Sequence, residues 1–433
     1  MTPRRRALLL TFVGVLLLGF SGTRHAGLVS SRGAHELQAV PPEETTPLVA
    51  ITTVAFGAFR GLVADALWMR AYELQEQGQY FELVQLAAWI TQLEPNIPEV
   101  WVFQAWNLAY NISVLFPEDE DRWRWVRHGL ELLREDGLRH NPVSAQIHWE
   151  IGWILQHKVG MDYDQSHLHY KARLAQSVQE AFGGPRPQDD AAWERATRDF
   201  RMTPTRMQAL ESQFGPLDWR LPHTHVLYWA DRGLPLARDG FNQSRLRRMR
   251  QQALAEIMRR GRLIVDDDGQ PILSLPRLDL LPRILTEMEQ PGRDTLSRQG
   301  QRAFLIDAII LFAEYGQLET ALDLSNRLHR IDPDHPAELP GLESLLQQHA
   351  AMPETQFSRD QAIIRITALL AQARSWETHD PTRARGFRSM AAQTHRRYQA
   401  ARFNPEHARR TGLPPFEKME SAVRQFVQPG DFL

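Results

Sequence analysis

The side chains that could hold a metal ion in this chain are histidines. His167-x-His169 follows Asp162 and Asp164 and stands near His157, and His223-x-His225 repeats the spacing. On a helix, residues i and i+2 project about 200° apart, so such a pair grips one ion only from a loop or strand. A structural role is therefore expected for both pairs. Asp266-Asp267-Asp268-Gly269 gathers carboxylates without the glutamate at the twelfth position that a calcium loop needs, and reads as a hairpin tip. Glu118 and Asp121 could share acid–base work, yet they sit in a charged run that favours solvation. With no cysteine, the chain has no disulfide, thiolate zinc site, iron–sulfur cluster, c-type haem attachment or cysteine nucleophile. Its three lysines, Lys158, Lys171 and Lys418, do not follow a glycine, so no phosphate-cradling Walker loop exists. GxSxG, HExxH and GxGxxG are absent too. Nothing here demands catalysis, and no cofactor is expected.

Charge adds little. The 433 residues carry 50 Lys+Arg against 52 Asp+Glu, a net charge of −2 that exerts no global pull on nucleic acid or anionic lipid. Residues 245–262 hold seven arginines against Glu256, and residues 383–410 hold eight against Glu406. Arginine so outnumbers lysine that these stretches are expected to be solvated helix faces, and no nucleic-acid partner is expected.

The elements that position these residues begin with an address signal. Arg4-Arg5-Arg6 precedes an apolar run, Ala7 to Phe20, of 14 residues. That is short of the roughly 20 needed to span a bilayer and suits the apolar region of a signal peptide. No A-x-A cleavage site follows Phe20; the exit reads Ser21-Gly22-Thr23-Arg24. Residues 1–22 are therefore expected to be an uncleaved signal anchor, with a cleaved signal peptide and a buried helix as the alternatives. The arginines would stay cytoplasmic, which places the bulk of the chain on the periplasmic side of a bacterial inner membrane. Residues 23–47, ending in Pro41-Pro42-Glu43-Glu44-Thr45-Thr46-Pro47, read as a linker. A second apolar run, Leu48 to Phe59, is too short to span and is expected as a buried or interfacial helix.

From residue 64 the pattern turns helical and repetitive. Gly78-Gln79-Tyr80-Phe81-Glu82-Leu83 is followed by Pro95, and Gly316-Gln317-Leu318-Glu319-Thr320-Ala321 by Pro333, each proline 17 residues after its glycine. Pro142 opens a third unit with Ala145, Ile147, Ile151, Gly152 and Leu155. These residues resemble the tetratricopeptide repeat, a helix–turn–helix unit of about 34 residues. In it, glycine permits the turn and proline closes the second helix. Pro95 to Pro142 spans 47 residues, so the second unit carries an insertion, an acid-capped helix from about Arg122 to His140.

The resemblance implies an all-α protein: a tetratricopeptide-like α-solenoid of helical hairpins with an irregular middle insertion and one N-terminal transmembrane or signal helix. The expected divisions are an N-terminal array over 48–182, an irregular middle segment over 183–300, C-terminal repeat-like helices over 301–403, and a tail over 404–433. Residues 183–220 are expected to be a poorly packed connector, and 222–261 a degenerate helical pair. A small hairpin is expected about Asp268-Gly269.

In the repeat family, certain first-helix positions face a concave groove that holds peptide ligands. Carried over by register, those positions include Trp68 and Tyr72 in the first unit. In the second they include Trp106 and Tyr110, with Asn107 and Asn111 close by. In the third they include Trp149, Trp153 and His157. Open, such a surface would be an aromatic hot spot for a partner segment. Covered by the helices at 122–140 and 165–182, it would be ordinary core. The function this implies is a non-catalytic, membrane-anchored scaffold for a protein partner, in envelope assembly, secretion or polymer export. The alternatives are a subunit of an integral membrane complex packing through residues 48–69, and a metal-dependent or polysaccharide-acting enzyme, for which a polysaccharide would be the ligand.

Overall fold

The computed structural model describes residues 47–266, 269–288, 295–331, 340–353, 356–402 and 411–431, with side chains from Gly61 onward except at 295–297. The expected signal anchor, and the linker up to residue 46, lie outside the described residues. Among those described, no helix is long and apolar enough to cross a membrane.

Helix α1 (Pro47–Glu76) joins the second apolar run and the first repeat-like helix into one element, and turns into α2 (Tyr80–Leu93). Gly78 sits at φ +70°, the left-handed conformation that glycine adopts at no steric cost, and Gln79 N donates back to Leu74 O at 2.9 Å. The same geometry recurs far downstream between α12 (Thr295–Glu314) and α13 (Leu318–Ile331). Gly316 is at φ +80° and Gln317 N donates to Phe312 O at 2.9 Å. The two glycines singled out by their sequence context thus close the same turn.

Three helices follow α2 in which the backbone widens. Helix α3 (Pro98–Trp106) runs into a π-helical turn, Asn107–Ile112, and ends in a tight turn, Ser113–Leu115. Helix α4 (Asp119–Leu132) continues through a π turn at Leu133–Gly137 to Leu138–His140. Its first turn carries Asp119, Glu120 and Asp121, where the helix dipole favours negative charge. Helix α5 (Ala145–Trp153), capped by Ser144 Oγ on Ile147 N, ends in a third π turn, Ile154–Gly160; α6 spans His167–Phe182. Helices α3 and α4 cross closely: a Cβ on Gly129 would stand 2.9 Å from the Ala105 carbonyl oxygen. Gly129→Ala must push the helices apart and is expected to lose about 1–3 kcal/mol of stability by urea unfolding. Gly386→Ala, whose Cβ meets nothing within 4 Å, should be neutral or gain up to about 1 kcal/mol.

The middle of the chain departs from expectation. Residues 183–220 are not a poorly packed connector: they form α7 (Asp190–Phe200), capped by Asp189, and α8 (Pro204–Phe214), and lead into the most enclosed part of the protein. Trp219 and, on α9 (Pro222–Gly233), Val226 through Ala230 are all fully shut from solvent. Helix α10 (Gly240–Arg260) precedes the expected hairpin, in which β1 (Arg262–Val265) pairs antiparallel with β2 (Pro271–Leu275), Leu263 opposite Ser274. Helix α11 (Leu281–Met288) completes the segment. After α13 come α14 (Leu342–Ala351), α15 (Arg359–Trp376), α16 (Pro381–Arg402) and α17 (Phe416–Phe426). The last lies in the expected irregular tail and buries Met419, Ala422 and Val423.

The divisions at 182/183 and 300/301 are not seams in packing, and the one at 403/404 lies outside the described residues. Ala64–Leu433 is one compact unit, and one hydrophobic cluster runs from Ala71 to Val427. The arginines of α10 are not a uniformly solvated face either. Arg250 pairs with Glu287 at 2.5 Å, Arg259 and Arg260 both pair with Glu256, and Arg260 also meets Asp360.

Candidate functional site

Trp149, Trp153 and His157 recur every fourth residue along α5 and its π turn, so their side chains stand above one another. The rings stack: Trp149 on Trp153 at 5.2 Å and 16°, Trp153 on His157 at 4.9 Å and 15°. Arg245 of α10 closes one end, its Cζ 3.3 Å from the Trp149 ring centroid. At the other end His157 meets Tyr163 at 5.1 Å and Tyr110 at 5.8 Å, and the Tyr110 hydroxyl lies 3.4 Å from His157 Nδ1. Tyr110 stacks in turn on Trp106 at 5.5 Å. The result is a ladder of aromatic faces running from α10 across α5 to α3.

Its five aromatic rungs Trp106, Tyr110, Trp149, Trp153 and His157 are half-buried, and Tyr163 beside them is 68% exposed. The inserted helices therefore do not bury the ladder; Trp123 of α4 and Tyr170 of α6 pack on each other in the core instead. Two expected groove residues behave differently. Asn107 is fully buried and braces the helix-to-π transition, donating from Nδ2 to Phe103 O at 2.8 Å and accepting from half-buried Asn111 at 2.6 Å. Trp68 packs edge-on against Phe103 at 4.9 Å, with exposed Tyr72 beside it at 6.3 Å; among the described residues their rings join each other and Phe103 rather than the ladder.

Buried polar groups adjoin the ladder. Lys158, almost wholly buried, donates to Asp164 at 2.6 Å, and its Nζ lies 5.3 Å from the Tyr110 ring centre. Asp164 also faces Arg122 at 3.5 Å. Glu150 is 4% exposed and its Oε1 has no hydrogen-bond partner. Burial raises its carboxyl to about 7, against the opposing pull of Arg245. Burial and Lys158 lower the His157 imidazole, and burial lifts the Tyr110 phenol. Near neutral pH the ladder is thus a stack of uncharged π faces with one arginine at its end. Such a surface suits flat apolar or aromatic groups and the apolar faces of sugars.

Two of the three π turns lie in the ladder itself, and the third is in the helix packed between them in sequence. These turns are rare and concentrate at functional positions. No residue type demands them, so they leave no mark in the sequence.

The His167/His169 and His223/His225 pairs do not converge with His157. His167 adjoins Asp162 and Lys171, and His169 contacts Glu120 at 3.0 Å. His223 and His225 are buried on α9. Among the described residues no group of three or more metal-ligating side chains occurs. Neither a protein-family model nor a curated protein matches the chain. The fold and the ladder define a mostly α-helical protein with an aromatic-lined helical face.

Proposed function

We propose that this is a non-catalytic scaffold of tetratricopeptide-like helical hairpins. Held at a bacterial inner membrane by its N-terminal segment, with its bulk on the exported side, it would seat a partner protein's segment along the aromatic ladder. Envelope assembly, secretion or polymer export is the setting the repeat resemblance implies. The observation that carries the reading is the ladder itself: half-exposed stacked tryptophans on helices braced by buried polar groups, the composition and rigidity of an interface hot spot. Leu62, Val63 and Met69 on α1 are also exposed, which suits a helix covered by lipid or a second protein.

The test is in-cell photo-crosslinking from position 106, with adducts identified by mass spectrometry. One dominant envelope-protein adduct is expected. Trp153→Ala should reduce it about thirtyfold, the effect of losing roughly 2 kcal/mol at an aromatic anchor. An adduct indifferent to Trp153→Ala would sink the reading.

Glu150 favours a second reading, a polysaccharide-acting site. A carboxyl raised to about 7, on the helix that carries the stacked rings, has the proton affinity a general acid needs. Under that reading Glu150→Gln abolishes glycan turnover while leaving glycan binding intact. Under the scaffold reading it changes neither.

A further inference from the structure

Away from the ladder, a partly open cavity of about 180 Å³ lies where the start of α9, the end of α10, the hairpin and the start of α15 meet α6. Its lining combines apolar side chains, Leu168, Leu221, Leu263, Ile272, Ile363 and Ile364, with the cations Lys171, Arg220, Arg260 and Arg359 and the carboxylate of Asp360.

The cations differ in how well they are satisfied. Arg220 is held by both oxygens of Asp218 at 2.9 Å and by Leu263 O, and Arg260 by Glu256 and Asp360. Lys171 has three donors and one acidic partner, Asp162 at 2.9 Å, with His167 Nδ1 at 3.1 Å. Arg359 gives Nε to Gly412 O at 2.8 Å and stands 3.9 Å from Asp360. Burial lowers the Lys171 ammonium to about 8, and Arg260 and Arg359 press it the same way against Asp162. Burial likewise lowers Arg359, with Asp162 opposing it and Arg260 acting in the same direction. Cations and their carboxylate partners therefore meet in a desolvated place, where Lys171 and Arg359 are the least fully paired.

Two further features point inward. Leu221, Pro222 and His223, the start of α9, line the cavity; this helix begins without a side-chain cap, and a helix N-terminus attracts anions. His223 itself is 4% exposed, and its Nε2 has no hydrogen-bond partner. Gly160 makes room for that ring, since a Cβ there would stand 2.9 Å from His223 Nε2.

We propose that this cavity binds a small organic carboxylate, its charge seated among Lys171, Arg359 and His223 Nε2 and its apolar body against the isoleucines and leucines. Inorganic phosphate would leave the apolar lining uncovered, and a neutral molecule would leave the donors unanswered. Volume limits the body to little more than one ring, since an apolar cavity of roughly 150 Å³ accepts benzene.

The test uses the full chain in detergent solution, with benzoate as the probe and benzyl alcohol and inorganic phosphate as comparators, read by calorimetry and by the thermal midpoint. Benzoate is expected to bind saturably and raise the midpoint, with each comparator at least about tenfold weaker because it satisfies only half of the cavity. Lys171→Met should weaken benzoate about tenfold, and Ile364→Trp, which fills space at the apolar lining, should abolish binding. Circular dichroism checks that each variant folds. If Lys171→Met does not fold, Arg359→Gln replaces it with the same expected loss. Benzyl alcohol or phosphate binding as tightly as benzoate, no saturable benzoate binding, or affinity unmoved by the folded variants would each overturn the proposal.

Discussion

Trp219→Ala is expected to remove about 3–5 kcal/mol of unfolding free energy, the cost of emptying a large aromatic site in a core that relaxes only partly. The indole is wholly buried, meets Tyr228 edge-on at 6.3 Å, and donates from Nε1 to Glu211 Oε1 at 2.9 Å. Truncation therefore leaves a cavity and leaves Glu211 Oε1 with only the longer bond from Leu217 N at 3.4 Å. Trp219→Phe restores much of the volume but not the donor, and should lose about 1–3 kcal/mol. Trp89→Ala, at a 58% exposed tryptophan on α2, should stay within about 0.5 kcal/mol. Urea midpoints for the three variants decide the matter. Equal losses at Trp219 and Trp89 would mean that residues 217–230 are not the centre of the core.

Trp219 also shows where sequence reasoning stops. Gly183-Gly184-Pro185 does mark a chain reversal: Gly183, at φ +73°, ends α6. Yet Pro185 O then accepts from Trp219 N at 2.8 Å, and Asp218 takes the Leu263 N–H at 3.0 Å across 45 residues. Turn chemistry is local and can be read; the burial it leads to depends on partners far along the chain. The same division explains the hairpin, read correctly from Asp268-Gly269, and α17, hidden because Pro414-Pro415 looks like irregular chain when it introduces a helix. At the ladder, the four-residue spacing of Trp149, Trp153 and His157 was legible because spacing alone puts side chains on one face. Asn107, expected beside the groove, is buried instead, because a helical register cannot foresee that an amide is needed to brace the Phe103 carbonyl where the π turn opens.

Lowering the pH from 6.5 to 4.5 is expected to cost about 5 kcal/mol of stability, most of it before ordinary carboxylates protonate. Three buried histidines contribute most. Burial holds His148 and His225 at about 4 and His223 at about 3, well below the 6.5 of an unfolded chain. Neighbouring cations add to burial, Arg232 and Arg206 at His148, Arg134 at His225, and Arg260 and Lys171 at His223. His148 Nδ1 donates to Ser144 O at 2.7 Å and His225 Nε2 to Trp219 O at 2.7 Å, so each ring's other nitrogen faces a dry site with no acceptor for a second proton. Below pH 6.5 the unfolded chain binds three protons here that the folded chain refuses, so stability falls as pH drops. Glu150 works the other way. Its folded value of about 7 lies above the 4.5 of an exposed glutamate, so between these values the folded state holds one extra proton. Among these four groups the net difference is two protons, about 3 kcal/mol per pH unit. Glu150→Gln removes the opposing proton, so its profile should be steeper, about 4 kcal/mol per unit. It should also gain about 3 kcal/mol at pH 8, where the wild-type carboxylate must be ionised in a dry site. Urea unfolding from pH 8 to 4.5 measures both slopes. A wild-type curve flat above pH 5 would mean that the three histidines are solvated, and parallel curves for the two proteins would place Glu150 in water.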